Sequence, residues 1–329
     1  MVWVMPMVHI KVRLNTGIFL VSLAALLWGT SFVAVRWGLE QDIDPIIFVT
    51  LRFLIAALFF TPIALVKISN LRSLLLQKKI IALGFFNAIG FAFQFFGQQF
   101  TSAGKASLFV NFYVLIVPLL APLFLKEKLS ITVIFSAILG FVGAFMVSTN
   151  LDFNQLSFTK GTIKGDIITL GAGVSWAIYI ILSKRYLESD TKRSGTAVFY
   201  GTIVWTSVIL SFACPITIII NRSILNSFAQ QFSWRPMVAV IYLAIMCTAL
   251  AFAIYMEGLK RAEAGESSIF MLIEVIVAFI LEWIIFGAKP AFWSTIGVAL
   301  IVFAVIILSL KQKSNLEPNK SRKTSEEIE

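Results

Sequence analysis

The sequence predicts an all-α polytopic membrane protein whose ten transmembrane helices form two inverted five-helix repeats. Three observations predict this fold: a lipid-compatible composition, ten apolar runs joined mostly by short loops, and a similarity between the two halves of the chain. Of the 329 residues, 59% are hydrophobic and 13% are charged, and the mean hydropathy is +0.91. Soluble chains carry about 25% charged residues. The composition therefore excludes a water-soluble globular protein and predicts the lipid bilayer as a partner.

The apolar runs define the predicted organisation, because a membrane-crossing helix uses about 20 apolar residues. A cytoplasmic N-tail (1–16) precedes a first five-helix repeat (17–149), and an external linker (150–164) leads to a second five-helix repeat (165–310). The C-tail (311–329) mixes both charge signs with few apolar residues, so it is predicted to be cytoplasmic and disordered. Crossings 1 to 10 are predicted at 17–38, 45–66, 80–99, 105–125, 130–149, 165–186, 196–220, 236–257, 264–286 and 291–310.

The basic residues segregate to one side of the predicted bilayer. Nineteen of the 27 lysines and arginines lie in the two tails and in the loops that follow even-numbered crossings, whereas seven lie in the other loops. Because cytoplasmic loops retain basic residues, both termini are predicted in the cytoplasm and the protein in the plasma membrane. The orientation of the crossings therefore accounts for the net charge of +10, and no nucleic-acid partner is expected.

The second half of the chain repeats the first. At an offset of 148, Gly17–Glu40 aligns without gaps with Gly165–Glu188, and Trp28 meets Trp176. At an offset of 161, crossing 4 aligns with crossing 9. Each half holds five crossings, an odd number, so the second half enters the bilayer from the opposite face. Such inverted repeats are typical of secondary transporters, which bind substrate near the midplane between the repeats.

Five segments spread over both halves carry motifs: LLWGTSF (26–32), the stretch from Pro45 to Arg52 and Phe53, FGQQFTSAGKASLF (96–109), VPLLAPLFLKEKLS (117–130) and LIEVIVAFILEWIIFG (272–287). Together they resemble the drug/metabolite transporter superfamily, EamA-domain type. The resemblance covers all ten crossings, and it implies a ten-helix carrier of small metabolites, often an exporter of amino acids or related compounds. Two positions depart from the family pattern, since Val275 replaces the usual proline and Ala288 the usual acidic residue.

Polar residues inside the crossings are the first candidates for substrate contact, because a polar group at bilayer depth faces protein or a water-filled cavity. Asn87, Gln94 and Gln98 share one face of crossing 3 with Phe91, since spacings of seven and four residues return to the same side of a helix. This stripe is interpreted either as a cavity wall or as interhelical hydrogen bonding. Other candidates, open to the alternative of plain packing, are Trp28, Ser31, Asn111, Trp176 and Tyr179.

Three charged residues in the predicted crossings complete the candidate site. Arg52 lies in crossing 2, where a charge costs about 2.5–3.5 kcal/mol near the bilayer centre, so it needs a partner. Glu274, near the middle of crossing 9, and Glu282, closer to the outer side, are the two candidates. Glu274 either pairs with Arg52 or titrates and couples transport to protons. A permanent ion pair that fixes helix packing is the alternative.

The predicted function is secondary transport, and specifically export, of small metabolites such as amino acids or lipophilic drug-like compounds by alternating access. A facilitative channel or uniporter is the alternative. Enzyme activity is not expected, because the single histidine, His9, lies in the N-tail and no GxSxG or HExxH motif occurs.

Neither a cofactor nor a metal site is predicted. The two cysteines, Cys214 and Cys247, lie far apart in apolar runs, and no phosphate-binding loop for ATP hydrolysis occurs. The expected partners are a small-molecule substrate and the lipid bilayer, and the sequence leaves a monomer and a homodimer both open.

Overall fold

The ten apolar runs form ten helices that are long and apolar enough to cross a membrane, as the sequence predicts. A computed structural model describes residues 16–40, 43–97, 100, 108–128, 130–152, 160–189, 194–220, 233–287 and 289–316, and every regular element in these ranges is helical. Crossings 1 to 5 are Thr16–Leu39, Pro45–Lys67, Lys78–Gly97, Tyr113–Leu125 (preceded by a helical turn at 108–110) and Ile131–Thr149, with a short helix, Leu71–Leu75, between crossings 2 and 3. Crossings 6 to 10 are Lys160–Ser189, Gly195–Ile220, the series Trp234–Tyr242, Leu243–Leu250 and Ala251–Arg261, the pair Ala264–Phe270 and Ile273–Phe286, and Phe292–Leu316.

Local sequence signals set several helix ends. Crossing 2 begins at Pro45, whose missing N–H group suits the first helical position. The Oδ1 atom of Asp44 caps this helix by accepting hydrogen bonds from the backbone N–H groups of residues 46 and 47, at 2.9 and 3.1 Å. Crossings 4 and 9 both end at a left-handed residue, Lys126 (φ 59°) and Gly287 (φ 67°). Equivalent helices in the two halves therefore end in the same backbone geometry.

The two halves of the chain exchange helix partners. Crossing 1 packs on crossings 8 and 9, and crossing 6 packs on crossings 3 and 4. Glycine permits both close approaches: a Cβ on Gly17 would lie 2.8 Å from the carbonyl carbon of Arg261, and one on Gly165 would lie 2.7 Å from that of Phe100. Crossings 2 and 7 pack on each other, as do crossings 5 and 10. Each half therefore completes its core with helices of the other half.

The predicted linker and C-tail are each partly helical. Crossing 6 begins at Lys160, inside the predicted external linker, and crossing 10 continues to Leu316, inside the predicted disordered tail. Lys311 Nζ lies 3.0 Å from Glu266 Oε1, and this ion pair attaches the additional turns of crossing 10 to crossing 9. The rest of the predicted tails and the linker residues 153–159 lie outside the described residues.

We name the two ends of the bundle after one residue each. The Glu127 end is where odd-numbered crossings begin and even-numbered crossings end. The Arg36 end is the opposite one. Between them, the middle of the bundle contains the candidate site.

Candidate functional site

Three crossings depart from regular α-helix, crossing 8 near its middle and crossings 4 and 9 nearer their start. Crossing 8 winds as a π-helix over Leu243–Leu250. Crossings 4 and 9 each tighten into a 3₁₀ turn, where Phe112 N donates to Phe109 O at 3.3 Å and Leu272 N donates to Ile269 O at 3.0 Å. Changes of winding inside a helix frequently mark functional sites, because they re-aim backbone groups. The turns in crossings 4 and 9 also lie at nearly equivalent positions of the two halves.

Aromatic rings from both halves meet beside these segments. Trp28 packs edge-on against Phe252 with ring centroids 4.6 Å apart, and Trp176 packs edge-on against Phe91 at 5.2 Å. The offsets of 148 and 161 make these the same pair of positions in the two halves. Phe91 and Phe252 lie 6.3 Å apart, so the two pairs join. We define the central aromatic cluster as Trp28, Phe53, Phe91, Tyr113, Trp176, Phe252 and Tyr255.

The sequence predicted three members of this cluster, Trp28, Phe91 and Trp176, and the structure brings them together. It missed Phe252, although the offset of 161 pairs this residue with Phe91 and would have identified it. Phe53 follows Arg52 directly, and its ring centroid lies 4.8 Å from that of Phe91. No sequence pattern predicted this contact.

The polar stripe of crossing 3 has one interhelical hydrogen bond. Asn87 is fully buried, and its Nδ2 donates to Thr206 Oγ1 of crossing 7 at 3.0 Å. Its Oδ1 atom and Gln94 Oε1 are buried without a hydrogen-bond partner among the described residues. Gln98 lies outside the described residues. The stripe therefore combines a helix contact with two buried acceptors that receive no hydrogen bond from the described residues.

The remaining polar candidates lie close to the cluster without forming a single surface. Ser31 Oγ bonds back to its own helix, donating to Trp28 O at 2.6 Å. Asn111 is buried within the 3₁₀ turn of crossing 4. Tyr179 is buried one turn after Trp176, and its hydroxyl interacts electrostatically with that of Tyr255. Ser31 therefore supports its helix, whereas Tyr179 faces the cluster.

Arg52 is fastened to the π-helical segment of crossing 8. It is 3% exposed. Its Nε donates to Thr248 Oγ1 at 2.7 Å, and its Nη2 donates to Cys247 O at 3.4 Å. The same carbonyl accepts a hydrogen bond from Trp28 Nε1 at 2.7 Å. The guanidinium also lies 5.1 Å from the ring centre of Phe91, within range of a cation–π contact. Arg52 is therefore part of the wall of the aromatic cluster.

The predicted pairing of Arg52 with a glutamate is wrong. Glu282 Oε1 instead lies 2.9 Å from Arg36 Nη1, at the exposed Arg36 end. Glu274 forms no ion pair or hydrogen bond through its side chain with any residue that the structure describes. The reason is that the π-helical segment places two neutral acceptors, a hydroxyl and a carbonyl oxygen, against Arg52 where a carboxylate was expected.

Glu274 lies beside the cluster among a different set of neighbours. It is 6% exposed and belongs to the first turn of Ile273–Phe286, where the helix dipole favours a negative charge. Its carboxyl group interacts electrostatically with the hydroxyls of Tyr113 and Tyr255. Crossing 1 packs closely against the backbone of crossing 9 at this point. A Cβ atom on Gly29 would lie only 2.8 Å from Glu274 O. The site therefore has a buried cation and a buried acid that do not neutralise each other.

Comparisons with known proteins agree with this architecture. The model of the EamA-like transporter family matches residues 15–149 and 163–310. An uncharacterised transporter of Archaeoglobus fulgidus is 26% identical over 302 residues, which cover 89% of this chain and 97% of the relative. A probable amino-acid metabolite efflux pump of Salmonella typhimurium is 23% identical over 293 residues, covering 88% and 93% of the two chains.

A solved crystal structure that is 19% identical has a TM-score of 0.73 and covers 91% of this chain and 98% of its own, so the two share a fold. Because the family model spans nearly all of the ten crossings, the chain belongs to the EamA-like transporter family and is a multi-pass membrane transporter rather than an enzyme.

Proposed function

We propose that the protein exports small amino-acid-like metabolites across the plasma membrane by alternating access and binds them in the central aromatic cluster. The observation that carries this proposal is the matched pair of contacts, Trp28 with Phe252 and Trp176 with Phe91, because each contact joins one half to the other. Aromatic faces bind apolar side chains and ammonium groups. The name of the Salmonella typhimurium relative, a probable amino-acid metabolite efflux pump, supports this class of substrate.

We expect the proposed motion to follow from the inverted repeat that the self-alignment predicts. Crossings 1 and 6 each pack on the other half, and the family model matches the two segments separately. Rocking of one repeat against the other would open the cluster to each side in turn. The distribution of basic residues favours a cytoplasmic location for the Glu127 end and for both termini.

Glu274 is the proposed proton-coupling residue. A buried carboxyl without a cationic partner takes up and releases protons according to what else occupies the site. We expect the ammonium group of a bound substrate to displace the proton of Glu274. Departure of the substrate would allow the proton to return, so that an inward proton gradient drives export. Among the described residues, the hydroxyls of Tyr113 and Tyr255 interact electrostatically with this carboxyl group.

Counterflow in proteoliposomes tests the carrier mechanism. Vesicles that contain the purified protein and are preloaded with unlabelled phenylalanine should accumulate labelled phenylalanine faster than unloaded vesicles. A channel gives no such trans-stimulation. The direct contacts among the cluster rings favour a carrier, since the rings must separate before a solute passes. Absence of trans-stimulation with every amino acid tested would contradict the proposal.

The proton role is tested by Glu274→Gln, with Glu282→Gln as the matched control on the same helix. The first variant should keep exchange of labelled for unlabelled substrate but lose its response to an imposed pH gradient. The second should behave as wild type, because Glu282 pairs with Arg36 at the surface. A Glu274→Gln variant that still responds to the gradient would remove the coupling role.

A further inference from the structure

We propose that Arg52 binds the carboxylate of the transported solute, so that the site accepts small organic acids with a free carboxylate, amino acids among them, and discriminates against the corresponding amides, whose carboxamide group is uncharged. This inference rests on the proposed function, because it assigns the substrate class of the same central site. Nothing in the sequence motifs or in the names of the relatives assigns this role to Arg52.

The first observation is that the hydrogen-bonding capacity of Arg52 is not exhausted. A guanidinium carries five N–H donors. The structure gives two hydrogen bonds, from Nε to Thr248 Oγ1 and from Nη2 to Cys247 O. Nη1 donates to none of the residues that the structure describes. An anion bound to Nη1 and Nη2 would supply the missing acceptors.

The second observation is the lack of a counter-ion. Arg52 is 3% exposed, yet its described hydrogen-bond partners are a hydroxyl and a carbonyl, which are both neutral. Neither Glu274 nor Glu282, the glutamates of crossing 9 that were predicted to pair with it, forms an ion pair with Arg52 in the part of the chain that the structure describes. A buried cation is stabilised by a negative partner, and a substrate carboxylate would provide that partner whenever the site is filled.

The third observation is that the guanidinium is already oriented. Thr248 fixes Nε, Cys247 O fixes Nη2, and the ring centres of Phe91 and Phe53 lie 5.1 and 5.7 Å from Cζ. A fixed planar fork binds carboxylates through two parallel hydrogen bonds. A carboxylate held there would lie at the edge of the aromatic cluster, which leaves the rings to pack against the rest of the solute.

The competing explanation is that Arg52 only fastens crossing 2 to the π-helical segment of crossing 8. Both explanations predict that substitution of Arg52 reduces stability and total flux. Only carboxylate binding predicts a change in the ratio between an acid and its amide, so that ratio is the decisive measurement.

The experiment measures inhibition of labelled phenylalanine counterflow by three unlabelled probes: phenylalanine, phenylalaninamide and 3-phenylpropionate. In the wild type, phenylalanine should compete at least about tenfold better than phenylalaninamide, which keeps the ammonium group but lacks the carboxylate, the effect expected from a charged hydrogen bond. 3-Phenylpropionate, which keeps only the carboxylate, should also compete. In Arg52→Gln, this ratio should fall to about one. Arg36→Gln is the matched control, because Arg36 is an exposed arginine paired with Glu282, and it should keep the wild-type ratio.

Arg52→Lys provides a second variant in case Arg52→Gln does not fold, which thermal unfolding in detergent would reveal. Lysine keeps the charge but loses the fork, so an intermediate ratio is expected. Equal competition by acid and amide in the wild type would overturn this inference but not the transport proposal. So would a wild-type ratio in either folded Arg52 variant. Absence of protein-dependent flux for every probe would instead overturn the transport proposal and this inference with it.

Discussion

Arg36 and Lys184 occupy the same position in the two halves of the chain but lie at opposite ends of the bundle. Each pairs with the glutamate four residues later: Arg36 Nε lies 3.1 Å from Glu40 Oε1, and Lys184 Nζ lies 3.3 Å from Glu188 Oε1. Their surroundings differ, since 47% of the Arg36 side chain is exposed and only 7% of the Lys184 side chain. One repeated sequence element therefore forms a surface contact in one half and a buried junction in the other.

The junction at the Glu127 end links both halves. Lys184 Nζ donates to Leu259 O in the last turn of crossing 8 at 3.1 Å, where the helix dipole favours a cation. It also attracts the carboxylates of Glu127 and Glu263. Glu127 accepts hydrogen bonds from the backbone N–H groups of residues 264 and 265, at 2.6 and 3.2 Å, and so caps the start of crossing 9.

The corresponding contact of Arg36 with crossing 9 is more exposed. Arg36 reaches Glu282 at 2.9 Å and lies 4.1 Å from the ring centre of Phe286, but both charged side chains are about half exposed. The position equivalent to Glu127 is Ala288, which has no side chain able to cap a helix. We therefore expect the contact at Arg36 to separate more readily than the junction at Lys184.

Lys184→Ala should produce the largest effect. The substitution leaves Leu259 O without its charged donor and removes the cation beside the partly exposed carboxylates of Glu127 and Glu263, so the free energy of unfolding should fall by about 2–3 kcal/mol. Thermal unfolding in detergent, followed by tryptophan fluorescence, measures the change. Arg185→Ala is the control, because the side chain of this neighbouring residue is exposed. A Lys184→Ala variant as stable as this control would contradict the assignment of a buried junction.

Glu127→Ala should produce the next largest effect. It removes the cap of crossing 9 and should lower the free energy of unfolding by about 1–2 kcal/mol. Glu127→Gln keeps an oxygen acceptor for residue 264, so it should lose less than half of that amount. Equal losses in the two variants would show that the charge, and not the cap, stabilises this end.

A comparison of wild type with Glu127→Gln tests how stability depends on pH. Burial raises the pKa of Glu127 above its ordinary value of 4.5, although the two backbone N–H groups oppose the shift. The folded protein therefore holds this proton more tightly than the unfolded chain. This contribution to stability is fully present below pH 4.5 and is lost as the pH rises through the folded pKa. The stability of wild type relative to Glu127→Gln should thus increase as the pH falls, and a constant difference would contradict the raised pKa.

Hydropathy and charge predicted the ten crossings because nearly every residue of a membrane-spanning run must be compatible with lipid. One or two polar residues in a run of about 20 do not hide this signal. The self-alignment predicted Trp28 and Trp176 as related positions for a similar reason, since duplication preserves spacing within a helix. Both signals are summed over many residues, so they can be detected in the sequence without knowledge of the structure.

The partner of Arg52 could not be predicted in this way. It depends on the π-helical winding of Leu243–Leu250, and that segment, LAIMCTAL, contains neither proline nor glycine to signal a change of winding. The cap that Glu127 supplies to crossing 9 is likewise a contact across 137 residues of sequence. Both features are set by how the two halves pack on each other.

Arg36→Ala should destabilise the protein by at most about 1 kcal/mol, because exposed ion pairs contribute little. The effect should also disappear in about 0.5 M salt, which screens exposed charges but not buried ones. Lys184→Ala should keep most of its effect under the same conditions. If salt cancelled both effects alike, the difference in burial would have no energetic consequence.

Glu40→Gln and Glu188→Gln should have the smallest effects, and equal ones. The two glutamates are 48% and 44% exposed, and each makes an i,i+4 pair of about 0.3–0.5 kcal/mol on a helix surface. Equality is expected because the carbonyl of Leu259 and the carboxylates of Glu127 and Glu263 hold Lys184 in place, whereas Glu188 adds only a surface contact. A double-mutant cycle of each acid with its basic partner measures both pairs. A coupling energy for Lys184 with Glu188 well above that for Arg36 with Glu40 would mean that the ion pair itself stabilises the junction.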